Sequence, residues 1–179
     1  MLIIPRALWI VPAVVGVIAG YTDYRWRRIP NWLTVPAFFL GIALNSVARG
    51  WAGAEYSLLG AGLGLLILFP FVLVRSLGAG DWKLIGALGA FLGPHNLLTV
   101  LFVTVLIAGL MALIVVIWKR RFLQTMRNIG RMLAAMMSLH LPGKEVSLDN
   151  PESSKIPFGV AAAVAIVLFA ASQLWNRRP

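Results

Sequence analysis

The chain of 179 residues has no cysteine, which excludes disulfides, thiolate metal sites and cysteine nucleophiles. Asp and Glu together number 6 and histidines 2 (His95 and His140), which argues against a multi-ligand metal site, and no cofactor motif is present. Charged residues make up 12% of the chain and hydrophobic residues 60%, with a mean hydropathy of +0.85. Soluble domains carry about 25% charged residues. A water-soluble fold of this size has no interior for so much apolar surface, so the bilayer is the expected solvent. The net charge of +10 has no nucleic-acid-binding motif beside it. It is read as a set of topology signals and contacts to an anionic inner leaflet.

What is present is a series of apolar runs. A membrane-crossing helix needs about 20 mostly apolar residues to span roughly 30 Å. Helix one is expected over about residues 4–22, helix two over 32–48 and helix three over 56–75. The run from Leu84 to Trp118 would make about 52 Å of helix, too much for one crossing. The turn signal Gly93-Pro94-His95-Asn96 divides it into a short helix four (about 82–93) and helix five (about 96–118). Helix six is expected over 158–175. The start of the chain reads as a retained helix rather than a cleaved signal peptide, because its basic cluster lies on the wrong flank. The expectation is an all-α polytopic membrane protein, a single unit over 1–179 with about six transmembrane helices.

Basic residues set the orientation. Arg25, Arg27, Arg28, Arg75 and Lys83 fall in two connections, and the third, 119–157, holds seven more between Lys119 and Lys155. Only Arg6, Arg49, Arg177 and Arg178 fall on the other side. These three connections are therefore placed in the cytoplasm and both termini outside it. Within the third, Phe122, Met126, Ile129, Leu133 and Met136 recur at helical spacing with Arg127 and Arg131 opposite. That is a basic amphipathic helix, suited to the inner leaflet or to the bundle's cytoplasmic face. Residues 142–155 read as a polar loop. Tryptophans 9, 26, 32, 51, 118 and 175 read as interfacial anchors, and Gly62, Gly64, Gly86 and Gly89 as close helix packing.

Of the acids, Glu55 is assigned to an external loop, and Glu145, Asp149 and Glu152 to the polar loop. Asp23 and Asp81 fall where helices meet the cytoplasmic surface, and acids at membrane depth are functional candidates. Two carboxylates in a partly dry site share a proton, so one can serve as base and the other as acid. That is the chemistry for activating water against a peptide bond. Taken in isolation, Asp23 beside its arginines reads as a surface ion pair or a helix-end residue. Before Asp81, Gly78 and Gly80 would let the backbone approach a substrate strand and adopt conformations closed to other residues. Lys83 would pair with a carboxylate or snorkel to the headgroups. Pro30 and Asn31 are expected to end a turn and begin helix two, with Asn31 as its cap.

The segment from Asp23 to Ile29-Pro30-Asn31 resembles the first signature of the type IV prepilin peptidases. Gly78-Ala79-Gly80-Asp81-Trp82-Lys83-Leu84 resembles their GxGD signature, and Ile156-Pro157-Phe158-Gly159 a weaker third element. The resemblance implies that Asp23 and Asp81 are a catalytic pair, supported by Gly78, Gly80, Lys83, Pro30 and Asn31. It implies an aspartic endopeptidase of the inner membrane that removes the basic leader of a prepilin at the cytoplasmic boundary. Larger members also methylate the new N-terminus and carry a cysteine-rich zinc region. The short 24–31 connection and the missing cysteines therefore imply peptidase activity without N-methyltransferase activity, as in the peptidases that serve Flp-type pili. The rival readings are a small proton-coupled transporter, with acids near the bilayer midplane, and a non-catalytic assembly protein that tolerates loss of either aspartate.

Overall fold

A computed structural model describes residues 9–73, 75–118, 130 and 157–175. Every element in them is helical: α1 (Ile10–Trp26), α2 (Asn31–Arg49), α3 (Trp51–Leu73), α4 (Ala79–Trp118) and α5 (Phe158–Trp175). The helices α2, α3, α4 and α5 are long and apolar enough to cross a membrane. The expected amphipathic interfacial helix, the polar loop and both termini lie outside the described residues.

Five helical elements replace the six expected, because the separation at 93–96 is a single-residue break and not a loop. Gly93 alone leaves helical geometry, at φ 70 and ψ 178. Pro94 then occupies an early helical position, where its missing N–H costs nothing. The break still reverses the chain. A Cβ on Gly64 of α3 would touch Ile85 and Leu97 alike, each at 2.9 Å, so the segments before and after Gly93 lie side by side on one turn of α3. The first arm, Ala79–Leu92, is about 21 Å long and the second, Pro94–Trp118, about 37 Å.

That break leaves carbonyls without helical partners. Pro94 has no N–H to give Ala90, and the turn carries the next N–H groups away from Phe91 and Leu92. Side chains replace them. Asn45 Nδ2 donates to the Ala90 and Phe91 carbonyls at 3.0 and 3.1 Å. Leu92 O accepts from Tyr56 Oη at 2.7 Å and from Asn96 Nδ2 at 3.0 Å. Asn45 is buried, and its position on α2 therefore ties α2 to the end of the first arm.

The first arm is the centre of the bundle. Every residue from Leu84 to Gly93 is buried, so it is apolar all round, packed by α2, α3 and α5. Its small residues allow backbones to meet: a Cβ on Gly89 would lie 2.5 Å from Gly60 O, and one on Gly41 2.9 Å from the Ala90 carbonyl carbon. Gly64, Gly86 and Gly89 pack as expected. Gly62 does not, since nothing lies within 4 Å of its missing Cβ; Gly60, not singled out, takes that role. The pairing of α1 with α5 uses the same device, with Gly20 against Ala163 and the Gly159 backbone.

Other expectations shift by a turn. Glu55 lies inside α3 and not in a loop, because Gly50 (φ 61, ψ −143) alone joins α2 to α3. Trp9 is buried at 5% exposure against Phe169, ring centroids 5.6 Å apart, and is no interfacial anchor. Trp26, Trp32, Trp51, Trp118 and Trp175 are exposed.

Candidate active site

Helix α1 runs past its apolar stretch to Trp26, so Asp23 sits within its last turn and not beyond its end. Arg27 stops the helix in the left-handed region, φ 54, and donates its N–H to Asp23 O at 2.9 Å. Arg25 in the last turn suits the negative end of the helix dipole. Asp23 is buried, at 7% exposure, yet remains hydrogen-bonded as buried carboxyls must be. Its Oδ2 accepts the Gly159 N–H at 2.9 Å, with the Val160 N–H as a further donor and Arg27 as a nearby positive charge. The Gly159 N–H lies in the first turn of α5, where backbone donors have no helical acceptor, whereas the Val160 N–H also meets Pro157 O at 3.1 Å; the dipole of that helix favours an acid there.

Asp81 comes from another direction. It is the third residue of α4, in the first turn, and reaches back to the Gly78 N–H, as the third residue of a capped helix does. Its Oδ1 is shielded from solvent and accepts no hydrogen bond among the described residues. Asp23 is its electrostatic neighbour, so the fold brings the two acids into one site from α1 and α4.

The glycines of the second signature serve this packing. Neither Gly78 nor Gly80 has a positive φ, so the expectation of special backbone conformations does not hold. Their open sides are used by the protein itself. A Cβ on Gly78 would lie 2.9 Å from Asp81 Oδ2, and one on Gly80 3.2 Å from Ile29 Cβ and 3.3 Å from Ile29 O. The third element closes the other side, where a Cβ on Gly159 would lie 2.9 Å from Asp23 Cβ and 3.0 Å from Ile29 Cδ1. Ile156 lies outside the described residues.

Lys83 and Asn31 stand at the edge. Lys83 Nζ donates to Asn31 Oδ1 at 3.0 Å, so the lysine meets an amide and not a carboxylate. Asn31 does not cap α2; Pro30 holds the N-cap position at φ −76 and ψ 146, with no side-chain cap. The Pro30 carbonyl accepts from the Leu33 and Thr34 N–H groups at 3.1 and 3.4 Å. Trp82 fixes the start of α4 by donating Nε1–H to Leu65 O at 2.7 Å. Sequence reasoning assigned no role to Ile29, Gly159 or Trp82; the signal for the first two was their place inside the signatures that also carry Asp23 and α5.

Comparison with known proteins bears on this arrangement. The model of the type IV leader peptidase family matches residues 3–116. A prepilin leader peptidase/N-methyltransferase of Xanthomonas campestris is 29% identical over 119 residues, 63% of this chain and 41% of that protein. One from Neisseria gonorrhoeae is 36% identical over 102 residues, 53% of this chain and 35% of that protein. The chain spans less than half the length of these curated relatives. No solved structure matches it.

Proposed function

The chain belongs to the type IV leader peptidase family, and on that premise we propose that it is an aspartic endopeptidase that cuts the leader from a prepilin, with Asp23 and Asp81 as the catalytic pair. The observation that carries this is the convergence of two acids from separate helices, one buried and fixed by the N-terminus of α5, the other with a shielded, unpartnered oxygen. A pair so placed activates a water: one carboxylate takes its proton as the hydroxide adds to the scissile carbonyl, and the other protonates the departing amide nitrogen. The C–N bond breaks, and the leader leaves with the new carboxylate.

The reading extends to location and substrate. Both acids lie at helix ends, on the side that the basic connections place in the cytoplasm of an inner-membrane protein with extracytoplasmic termini. A basic leader would then meet the site at the anionic inner leaflet while its apolar stem stays in lipid. The connection between α1 and α2 is four residues long, from Arg27 to Pro30, and the sequence has no cysteine. These features support a peptidase without methyltransferase activity, and a Flp-type prepilin as substrate.

The test is co-expression with a Flp-type prepilin, reading leader removal by gel shift. Wild type is expected to cleave, and Asp23→Asn and Asp81→Asn each to lose at least about 10²–10⁴-fold in rate at normal membrane levels. Cleavage surviving either substitution removes that residue from the mechanism. Transport or a purely structural role would leave wild type inactive against every prepilin offered.

A further inference from the structure

Between the two aspartates lies a residue that carries no chemistry. Ile29 is buried, at 8% exposure, in the short link between α1 and α2. One side of it meets Gly80, whose Cβ would fall 3.2 Å from Ile29 Cβ, and Gly80 is bonded to Asp81. The far end of the side chain meets Gly159, whose Cβ would fall 3.0 Å from Ile29 Cδ1, and Gly159 N–H holds Asp23 Oδ2. Each glycine thus abuts one catalytic acid and presses against the same isoleucine.

We propose that Ile29, gripped between Gly80 and Gly159, is the positioning residue that sets the separation of Asp23 and Asp81. The start of α4 and the start of α5 reach each other at this site across its side chain. A β-branched side chain is stiff about χ1, so it makes a spacer of fixed width. Both glycines are needed because any larger residue would push its helix away from Ile29 and carry an acid with it. Among the described residues Arg27 is a positive charge at Asp23, and Lys83, two residues along the chain from Asp81, is engaged by Asn31; neither replaces the spacer.

The inference rests on the proposed peptidase reading, and its test is built to fail separately from it. Because the chain has no cysteine, Asp23→Cys/Asp81→Cys provides a single thiol pair, cross-linked in membranes with bifunctional thiol reagents of graded span. Adding Ile29→Ala, or Ile29→Val, which deletes only Cδ1, is expected to move the span of best yield, more for alanine than for valine. An unchanged optimum in both overturns the proposal, whatever the protein's activity. In the cleavage assay, Ile29→Ala and Gly159→Ala are expected to lower kcat at least tenfold per folded enzyme. KM should stay within about twofold, with the two limbs of the pH–rate profile moving relative to each other, because they report the coupled pair. Folded fraction is read by gel filtration in detergent. Losses that follow only the folded fraction, with the pH limbs unmoved, make Ile29 ordinary core and overturn the proposal. Wild type that fails to cleave condemns the peptidase reading alone, since the cross-linking result still decides the spacer.

Discussion

At the scale of single residues, polar side chains do two kinds of work in this bundle. Asp23 and Asp81 are the pair proposed for chemistry, while Asn45, Tyr56 and Asn96 satisfy carbonyls that the break at Gly93 leaves open. Nothing in lipid can replace a donor lost there, so Asn45→Ala is expected to cost about 1–3 kcal/mol, the penalty of unmet buried acceptors. Tyr56→Phe should cost less, about 0.5–1 kcal/mol, because Asn96 still donates to Leu92 O. Equilibrium unfolding in mixed micelles measures both, and cleavage per folded molecule should be unchanged. Equal costs would mean that the two caps are not redundant in the way the hydrogen bonds indicate. The sequence offered no signal for Asn45 or Tyr56, and marked Asn96 only as part of a turn. Asn45 reads as one polar residue in an apolar helix until the Ala90 and Phe91 carbonyls are seen beside it.

At the scale of elements, close approach of backbones controls the assembly. Two glycines of α3 stand two residues apart and face opposite environments. A Cβ on Gly60 would lie 2.6 Å from Gly93 Cα, whereas Gly62 has open space. Gly60→Ala is therefore expected to lose more than about 3 kcal/mol by overpacking. Gly62→Ala should hold or gain up to about 1 kcal/mol, since alanine is the better helix former. Thermal unfolding in detergent separates the two, and a similar loss at both positions would put Gly62 at a packing face. Helix existence was legible from hydropathy, and α5 begins and ends where expected. Boundaries shifted where a polar residue stayed helical: Asp23 inside α1, Glu55 inside α3 and Asp81 inside α4. Apolar runs mark what lipid needs to cover, but a helix continues until a residue stops its backbone, as Arg27 and Gly50 do.

At the scale of the whole molecule, the fold places Asp23, Asp81, the Ile29 link and the start of α5 at one end of the bundle. The orientation argued from basic residues makes a direct forecast. In the cysteine-free chain, Arg28→Cys should react with a membrane-impermeant maleimide only when the cytoplasmic side is open. Trp51→Cys, exposed at the start of α3 just past the far end of α2, should react in intact cells. The reverse pattern would invert the topology and move the site to the other face. The packing explains why both acids sit at this end: α1 descends to Asp23, a four-residue link turns the chain, and α4 starts beside it.

From the amino-acid order alone it is legible that the chain is an all-helical protein suited to lipid, roughly where its helices lie, and which acids and glycines match the signatures. The first two follow from composition and spacing and the signatures from the resemblance to the prepilin peptidases, none of which needs knowledge of neighbours in space. The tertiary structure decided which helices meet, that Gly93 turns the chain without a loop, and that Asp23 is held by the N-terminus of α5 rather than by its adjacent arginines alone. It also showed that Lys83 engages Asn31 and that Ile29 lies between the two glycines. Each of these depends on contacts between residues far apart in the chain, where hydrophobicity fixes that surfaces are buried but shape and unmet hydrogen bonds fix against what.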